Sequence, residues 1–347
     1  MRLYGFIIRL RLLAILLFLC SASILSGCVY AMDAFQPNRP TWKEEAKADA
    51  EAKARTNSTK AGANMELSKQ NDSGGYNSKQ IRQVVVSDVD TPPLTNLKVN
   101  SKSYAVVIGI ENYRQGLPAA SFAANDAHTV TSYLIKSLGF KEENVVTLIN
   151  DRALKSDLEK YFDQWLKNKV EKESSVFIYY SGHGAPNPGT GDAFIVPYDG
   201  DPAFIEQTGY SLSRLYSNLE KLPVKNVVVA LDACFSGAGG KSVIAKGARA
   251  LVRIEKANSR NIAILTASAD NQISSTYEDK GHGVFTYFLL KGVKEKLEAD
   301  SSAKLEVGQL YDYLKPMVEH TSRRLYNNEQ SPQLLINNEE LRKVMLR

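Results

Sequence analysis

The sequence predicts an α/β domain built on a mostly parallel sheet with helices on both faces. Three observations lead there. From about residue 101 onward, short apolar runs alternate with stretches of helical periodicity, the order that a crossover-connected parallel sheet requires. The runs YAVVIGI, VVTLI, VFIYY, VVVAL and IAILT are apolar almost throughout rather than alternating, as strands buried on both sides must be. About 245 residues remain after a polar N-terminal part, enough to bury one substantial core.

The chain opens with Arg2, Arg9 and Arg11, then an apolar stretch from Leu12 to Cys20. This is the layout of a secretory signal, and its apolar part falls short of the roughly 20 residues of a membrane-spanning helix. Leu25-Ser26-Gly27-Cys28 resembles the lipobox of bacterial lipoproteins, in which the cysteine is lipidated and becomes the first mature residue. The expectation is a signal peptide over 1–27 and a lipidated Cys28 that anchors the protein to a membrane without a spanning helix. Val29, rather than Asp, follows the cysteine. In Gram-negative lipoproteins that resembles sorting to the outer membrane, which implies a bacterial envelope location facing the periplasm. Residues 28–100 are rich in Ala, Lys, Glu, Ser and Asn and poor in aromatics. Such a composition buries too little apolar area to offset ordering the backbone, and reads as a tether.

The expected domain, 101–347, is read element by element. Tyr104–Ile110 is a first strand. Ala127, Val130, Leu134 and Leu138 recur at helical spacing and Gly139 suits the helix end. Val145–Ile149 is a second strand. Ser156 with Glu159 reads as a capping box, followed by Leu158, Phe162 and Trp165 on one helical face. Val176–Tyr180 is a third strand, and Ala193–Pro197 part of a hairpin. Ser211 opens a short helix that Pro223 stops, Val227–Leu231 is a fourth strand and Ile262–Thr266 a fifth. Val284–Leu297 and Val307–Leu325 close the domain as helices.

Charge and cysteine content narrow the function. The formal net charge of +5 falls to +2 once the three arginines of the signal leave. That balance argues against nucleic acid as a partner. Of Cys20, Cys28 and Cys234, the first leaves with the signal and the second is capped. Cys234 is then a lone thiol in an exported protein, either inert in the core or used.

Ligands of open parallel sheets bind beyond the carboxyl ends of the strands. Ser181-Gly182-His183-Gly184 follows the third strand, and Asp232-Ala233-Cys234-Phe235-Ser236-Gly237 follows the fourth. A thiol needs a base beside it to become a nucleophile, and histidine is the usual partner. The flanking glycines let backbone amides approach a developing oxyanion.

YYSGHGA and ALDACFSG, with His183 lying 51 residues before Cys234, resemble the caspase-like cysteine peptidases, metacaspases and their bacterial relatives most closely. YAVVIGIENY, AANDA, GVFTYFLL and SPQLL resemble further segments of that family. The resemblance covers about 101–335. It implies a caspase-like three-layer sandwich around a six-stranded sheet, five strands parallel and one antiparallel. It implies His183 as general base and later acid, Cys234 as nucleophile, and the amides of Gly184 and Cys234 as oxyanion hole. It also implies a primary specificity pocket lined by Asp126, Ser181 and Asp232. Two carboxylates in one pocket select a guanidinium or ammonium through charge-assisted hydrogen bonds, so cleavage after Arg or Lys is expected.

Many metacaspases need calcium. The family places a calcium-binding acid seven residues after the cysteine, where this chain has Lys241, so calcium dependence is doubtful. No other cofactor or metal site is expected. Asp192, Asp199 and Asp201 flank one loop as scattered surface acids. His128, His282 and His320 lack metal-ligand spacing and are read as packing, loop and late-helix residues. The basic segment after the nucleophile offers Lys241, Lys246, Arg249 and Arg253 as self-cleavage points. Two alternatives stand beside the endopeptidase: an acyl-transfer variant such as a transpeptidase, and a non-catalytic caspase-like scaffold.

Overall fold

In chain order the strands are β1 (Ser103–Gly109), β2 (Val145–Ile149), β3 (Ser175–Ser181), β4 (Gly184–Pro186), β5 (Ala193–Ile195), β6 (Tyr210–Ser211), β7 (Asn226–Asp232), β8 (Ile262–Thr266), β9 (Thr276–Tyr277), β10 (His282–Gly283) and β11 (Gln333–Leu335). The computed structural model describes residues 85–187, 189–235, 257, 260–269 and 272–346. The expected signal peptide, Cys28, most of the tether, and Lys241, Lys246, Arg249 and Arg253 lie outside the described residues.

Six strands form one sheet in the order β11-β8-β7-β3-β1-β2. Five run parallel and β11 is antiparallel to β8 at the edge, with Leu334 opposite Leu265. This is the expected sheet. Its helices are α1 (Ala123–Lys136), α2 (three consecutive pieces, Lys155–Glu159, a π-helical Lys160–Trp165 and Leu166–Lys169), α3 (Leu212–Glu220), α4 (Val284–Ala299) and α5 (Val307–Tyr326).

The pleat divides the core into two layers, because successive strand residues face opposite ways. Along β7, Val227, Val229 and Leu231 pack with Leu158, Phe162 and Leu166 of α2 and Leu215 and Leu219 of α3. Val228 and Ala230 face Val130 and Leu134 of α1, Phe285 and Phe288 of α4, and Leu314 of α5. Burial on both faces is why these strands read as apolar throughout. The same alternation carries on to the strand ends. Ser181 follows Phe177 and Tyr179, and Asp232 follows Val228 and Ala230, so both polar side chains turn toward α1 and α4 rather than α2 and α3.

Two local readings shift. The helix expected to start on a Ser156–Glu159 box starts at Lys155, and Asp157 caps it by accepting the Leu154 N–H at 3.3 Å. An acid three residues past the cap serves the open N–H groups as well as glutamate does. Ser211, by contrast, caps α3 as expected, its Oγ accepting from Arg214 N at 3.3 Å. The expected tether was to run to residue 100, yet Val85 onward already packs on the domain. Val89 is buried. Asp88 binds Lys280 at 2.9 Å and Lys291 at 3.4 Å, and Ser137 Oγ donates to Pro93 O at 2.6 Å. Among the described residues, no helix is long and apolar enough to cross a membrane.

Candidate active site

The register between β3 and β7 builds the site. Ser175 faces Asn226 at one end and Ser181 faces Asp232 at the other. The spacing of 51 residues between His183 and Cys234 is therefore the register offset of two neighbouring strands carried two residues past their ends. Gly182 N still reaches Asp232 O at 3.4 Å. Gly184 lies directly against the Cys234 peptide: a Cβ there would sit 2.5 Å from both the Cys234 carbonyl oxygen and the Phe235 ring. A Gly184→Ala chain must push these segments apart. It should lose about 1–3 kcal/mol of unfolding free energy, as overpacked sites do, measured by urea denaturation; an unchanged midpoint would mean the two loops separate at no cost.

His183 is fixed on every side. Its backbone N–H donates to Tyr113 Oη at 2.6 Å, and its carbonyl accepts from Tyr180 Oη at 2.6 Å. The Tyr113 ring lies 4.8 Å from the imidazole, centroid to centroid. Nε2 is 2.6 Å from the Pro118 carbonyl oxygen. A carbonyl only accepts, so Nε2 carries the proton and Nδ1 the basic lone pair. Burial pushes the Tyr113 phenol above its ordinary range, so it stays neutral.

Cys234 is buried, and its Sγ accepts the Ser274 N–H at 2.6 Å. A donor aimed at sulfur favours negative charge there. Ser274 also reaches the neighbouring acid, its Oγ donating to Asp232 Oδ1 at 2.8 Å. The other oxygen of Asp232 accepts from Thr286 Oγ1 at 2.6 Å and Thr286 N at 3.2 Å, at the first turn of α4. Asp232 is 0% exposed.

Asp126 comes from the first turn of α1. That helix approaches β1 closely because residue 109 is glycine: a Cβ there would meet the Ala123 carbonyl oxygen at 2.3 Å. Since Gly109 pairs with Ser181, the approach brings Asp126 to β3, where Ser181 Oγ donates to Asp126 Oδ2 at 2.9 Å. Burial, then the charges of Asp126 and Asp232, push the Tyr179 phenol well above its usual range, and its hydroxyl lies 2.6 Å from the Thr286 Oγ1 that donates to Asp232. Five of the expected site residues, Asp126, Ser181, His183, Asp232 and Cys234, are thus gathered with Gly184 at one sheet edge. Cys28 lies outside the described residues.

His282 was expected to be a loop histidine, neither catalytic nor a metal ligand. It is instead fully buried in β10, with Nδ1 2.9 Å from Asp126 Oδ1 and Nε2 2.9 Å from Asp90 Oδ1. Burial opposes its charged form, but the hydrogen bonds and charges of Asp126 and Asp90 outweigh that and raise its pKa to about 9. The same pairing, with the Ser87 N–H, holds Asp90 below the usual carboxylate range despite burial. Tyr113, Pro118, Ser274, Thr286 and Asp90 were also not singled out as site residues. Pro118 acts through its main chain and left no signal, whereas the glycines around His282 marked a chain passing close to something.

Asp192 and Asp201 serve local turns, accepting from Thr190 Oγ1 and Ala203 N, and Asp199 accepts from Lys155 N at the start of α2. Among the described residues, no group of three His, Cys, Asp or Glu side chains is placed to hold a metal ion.

A family model described as the caspase domain matches residues 102–342. The Metacaspase-1 of Cryptococcus neoformans var. neoformans serotype D is 34% identical over 92 residues, 25% of this chain and 20% of that protein. Those of Eremothecium gossypii and Lodderomyces elongisporus are 29% and 27% identical over 38% and 40% of this chain, and 31% and 34% of theirs. The match thus spans between a fifth and a third of these relatives' length. A crystal structure of a Geobacter sulfurreducens protein superposes with a TM-score of 0.50 over 70% of this chain and 97% of its own, at 18% identity, a likeness of fold alone.

Proposed function

This chain belongs to the family of peptidases defined by the caspase domain, and from that membership we propose that it is a cysteine endopeptidase acting after Arg or Lys. One observation carries the reading: the β3–β7 register sets His183 and Cys234 at equivalent steps beyond paired strand ends. His183 Nδ1 takes the thiol proton, because Nε2 is committed to Pro118 O. The Cys234 thiolate attacks the scissile carbonyl, and the amides of Gly184 and Cys234 receive the oxyanion. His183 then returns the proton to the leaving amine, and water attacks the thioester with His183 again as base. Asp126, Ser181 and Asp232 form the pocket for the basic side chain. The hydrogen-bonded run from Tyr179 through Thr286 to Asp232 supports this, as does the Ser181–Asp126 bond. Arg is the preferred residue, since its planar fork pairs with a carboxylate through two bonds.

The physiological substrates are proteins or peptides carrying Arg or Lys at the cleaved bond. The lipid anchor on Cys28 and the envelope location extend the proposal on sequence grounds alone. No metal is required in this scheme.

The test is a panel of fluorogenic peptides ending in Arg, Lys or Asp, with and without calcium. Turnover after Arg or Lys is expected. Turnover after Asp alone would discard the pocket assignment and keep the peptidase. No turnover with any peptide would favour the scaffold alternative, which the burial of Cys234 beneath Ser274 also suits. Adding a free amine nucleophile and analysing products separates hydrolysis from transpeptidation.

A further inference from the structure

The connection between β8 and α4 reaches Cys234 and both of the proposed pocket carboxylates. Near its start, Ser274 binds both Cys234 Sγ and Asp232 Oδ1. At its end, His282 binds Asp126 Oδ1, and Gly283 N reaches both oxygens of the same carboxylate at 3.1 and 3.3 Å. Ser181 takes Oδ2. Asp126 is 0% exposed. A guanidinium cannot make a paired contact with this carboxylate while these donors hold it.

The His282 ring stands between two carboxylates, one at each nitrogen. An ionised carboxylate only accepts, so both ring nitrogens carry protons and the ring is a cation. We propose that His282 is the chain's own occupant of the specificity pocket: it holds the place of the basic side chain at Asp126, and a substrate cation binds there by displacing it. His282 is then a specificity-determining residue, because the affinity for Arg or Lys is set by competition with an internal cation. This rests on the assignment of Asp126 to the pocket made above.

The occupant is held from outside the pocket as well. Asp90, which takes Nε2, lies in the segment where Val89 is buried and where Lys294 Nζ donates to Asp88 O at 2.6 Å. Lys280, two residues before His282, is anchored by Asp88. The titratable and charged groups facing the ring are few. They are Asp126 from α1 and Asp90 from the N-terminal segment, with the Tyr277 phenol opposite in the β9–β10 register and the Tyr287 phenol of α4 beyond it, on Asp88. Asn125 Nδ2, 3.4 Å from Nε2, is neutral. The His282 ring loses its charge as the pH rises through about 9, which leaves a neutral competitor at Asp126.

The test measures binding of n-butylguanidinium, the arginine side chain without its backbone, to the full chain carrying Cys234→Ala, so that no turnover is needed. With His282 intact, affinity should rise about tenfold from about pH 7 to about pH 10 as the competing cation is lost. In His282→Ala it should start about tenfold higher and be flat with pH. If His282→Ala does not fold, His282→Gln removes the charge and keeps a donor. The wild-type ring also reports directly: saturating n-butylguanidinium should shift the His282 ring 15N resonances and lower the ring pKa. Equal affinity in the presence and absence of the imidazole, or ring resonances indifferent to ligand, would overturn the proposal. Cleavage of Arg peptides with KM unchanged in His282→Ala would sink it and leave the peptidase standing. Competition for n-butylguanidinium in a chain that cleaves nothing would do the reverse.

Discussion

Replacing Cys234 by Ala should lower peptide hydrolysis by about a thousandfold or more, and His183→Ala should do the same. The two should not add: once either member is gone the other has no reaction to assist, so the double variant should match the worse single one. Stability must be followed in parallel, because both residues are buried. Cys234→Ala removes the acceptor of the Ser274 N–H, and a buried donor that loses its partner costs about 1–3 kcal/mol. His183→Ala removes the donor to Pro118 O and the ring beside Tyr113. Circular dichroism and a urea curve at the assay temperature will show whether each variant is folded. A folded variant that keeps more than about a tenth of the rate would remove that residue from the chemistry.

The chain should be markedly less stable at pH 9 and above than at neutral pH, and His282 should account for the difference. Its pKa rises from an ordinary 6.5 to about 9 on folding. A group whose pKa is raised by folding contributes fully below its unfolded value and loses that contribution as the pH passes its folded value. Between pH 6.5 and 9, a shift of this size corresponds to about 3 kcal/mol, a large fraction of a typical folding free energy. Urea unfolding across that window should show a falling midpoint in the wild type. His282→Gln should begin lower and stay nearly level. Asp90→Asn keeps the ring but removes one carboxylate, so the fall should be smaller and end at a lower pH. A wild-type midpoint independent of pH over this range would mean that the ring is not a cation in the folded chain.

The sheet was legible because its strands are apolar on both faces and its breaks are marked by Gly, Ser and Pro. The antiparallel edge strand was not, since Gln333–Leu335 is three half-buried residues long and carries no periodicity to detect; only the resemblance supplied it. Cys234 and His183 were legible as candidates for a related reason. Both stand next to small residues at strand ends, where a polar side chain has no packing purpose. Asp126 was singled out through resemblance, but what binds it was not legible. His282 sits 156 residues away in sequence, and a histidine between two glycines has the same local appearance in a solvated turn and in a buried ion pair. Asp90 was hidden more deeply. It lies at the end of a polar stretch whose composition argues for disorder, and only the Val89 side chain and the lysines of α4 show where order begins.

The shared offset of β3 and β7 bears on how such a chain can change over evolutionary time. Because the pairing of Ser181 with Asp232 places His183 and Cys234, the length of polypeptide between them is immaterial to their meeting. Residues could be gained or lost in the turns around Asn187 or after α3 without moving either one, since each is reached from a strand end and not from a loop. A single residue inserted within β3 or β7 is another matter. It would turn every later side chain to the opposite face, sending Ser181 or Asp232 toward α2 and α3 and unseating the residue that follows. The chemistry is in this sense inherited with the sheet, and the excursions between its strands are free to diverge.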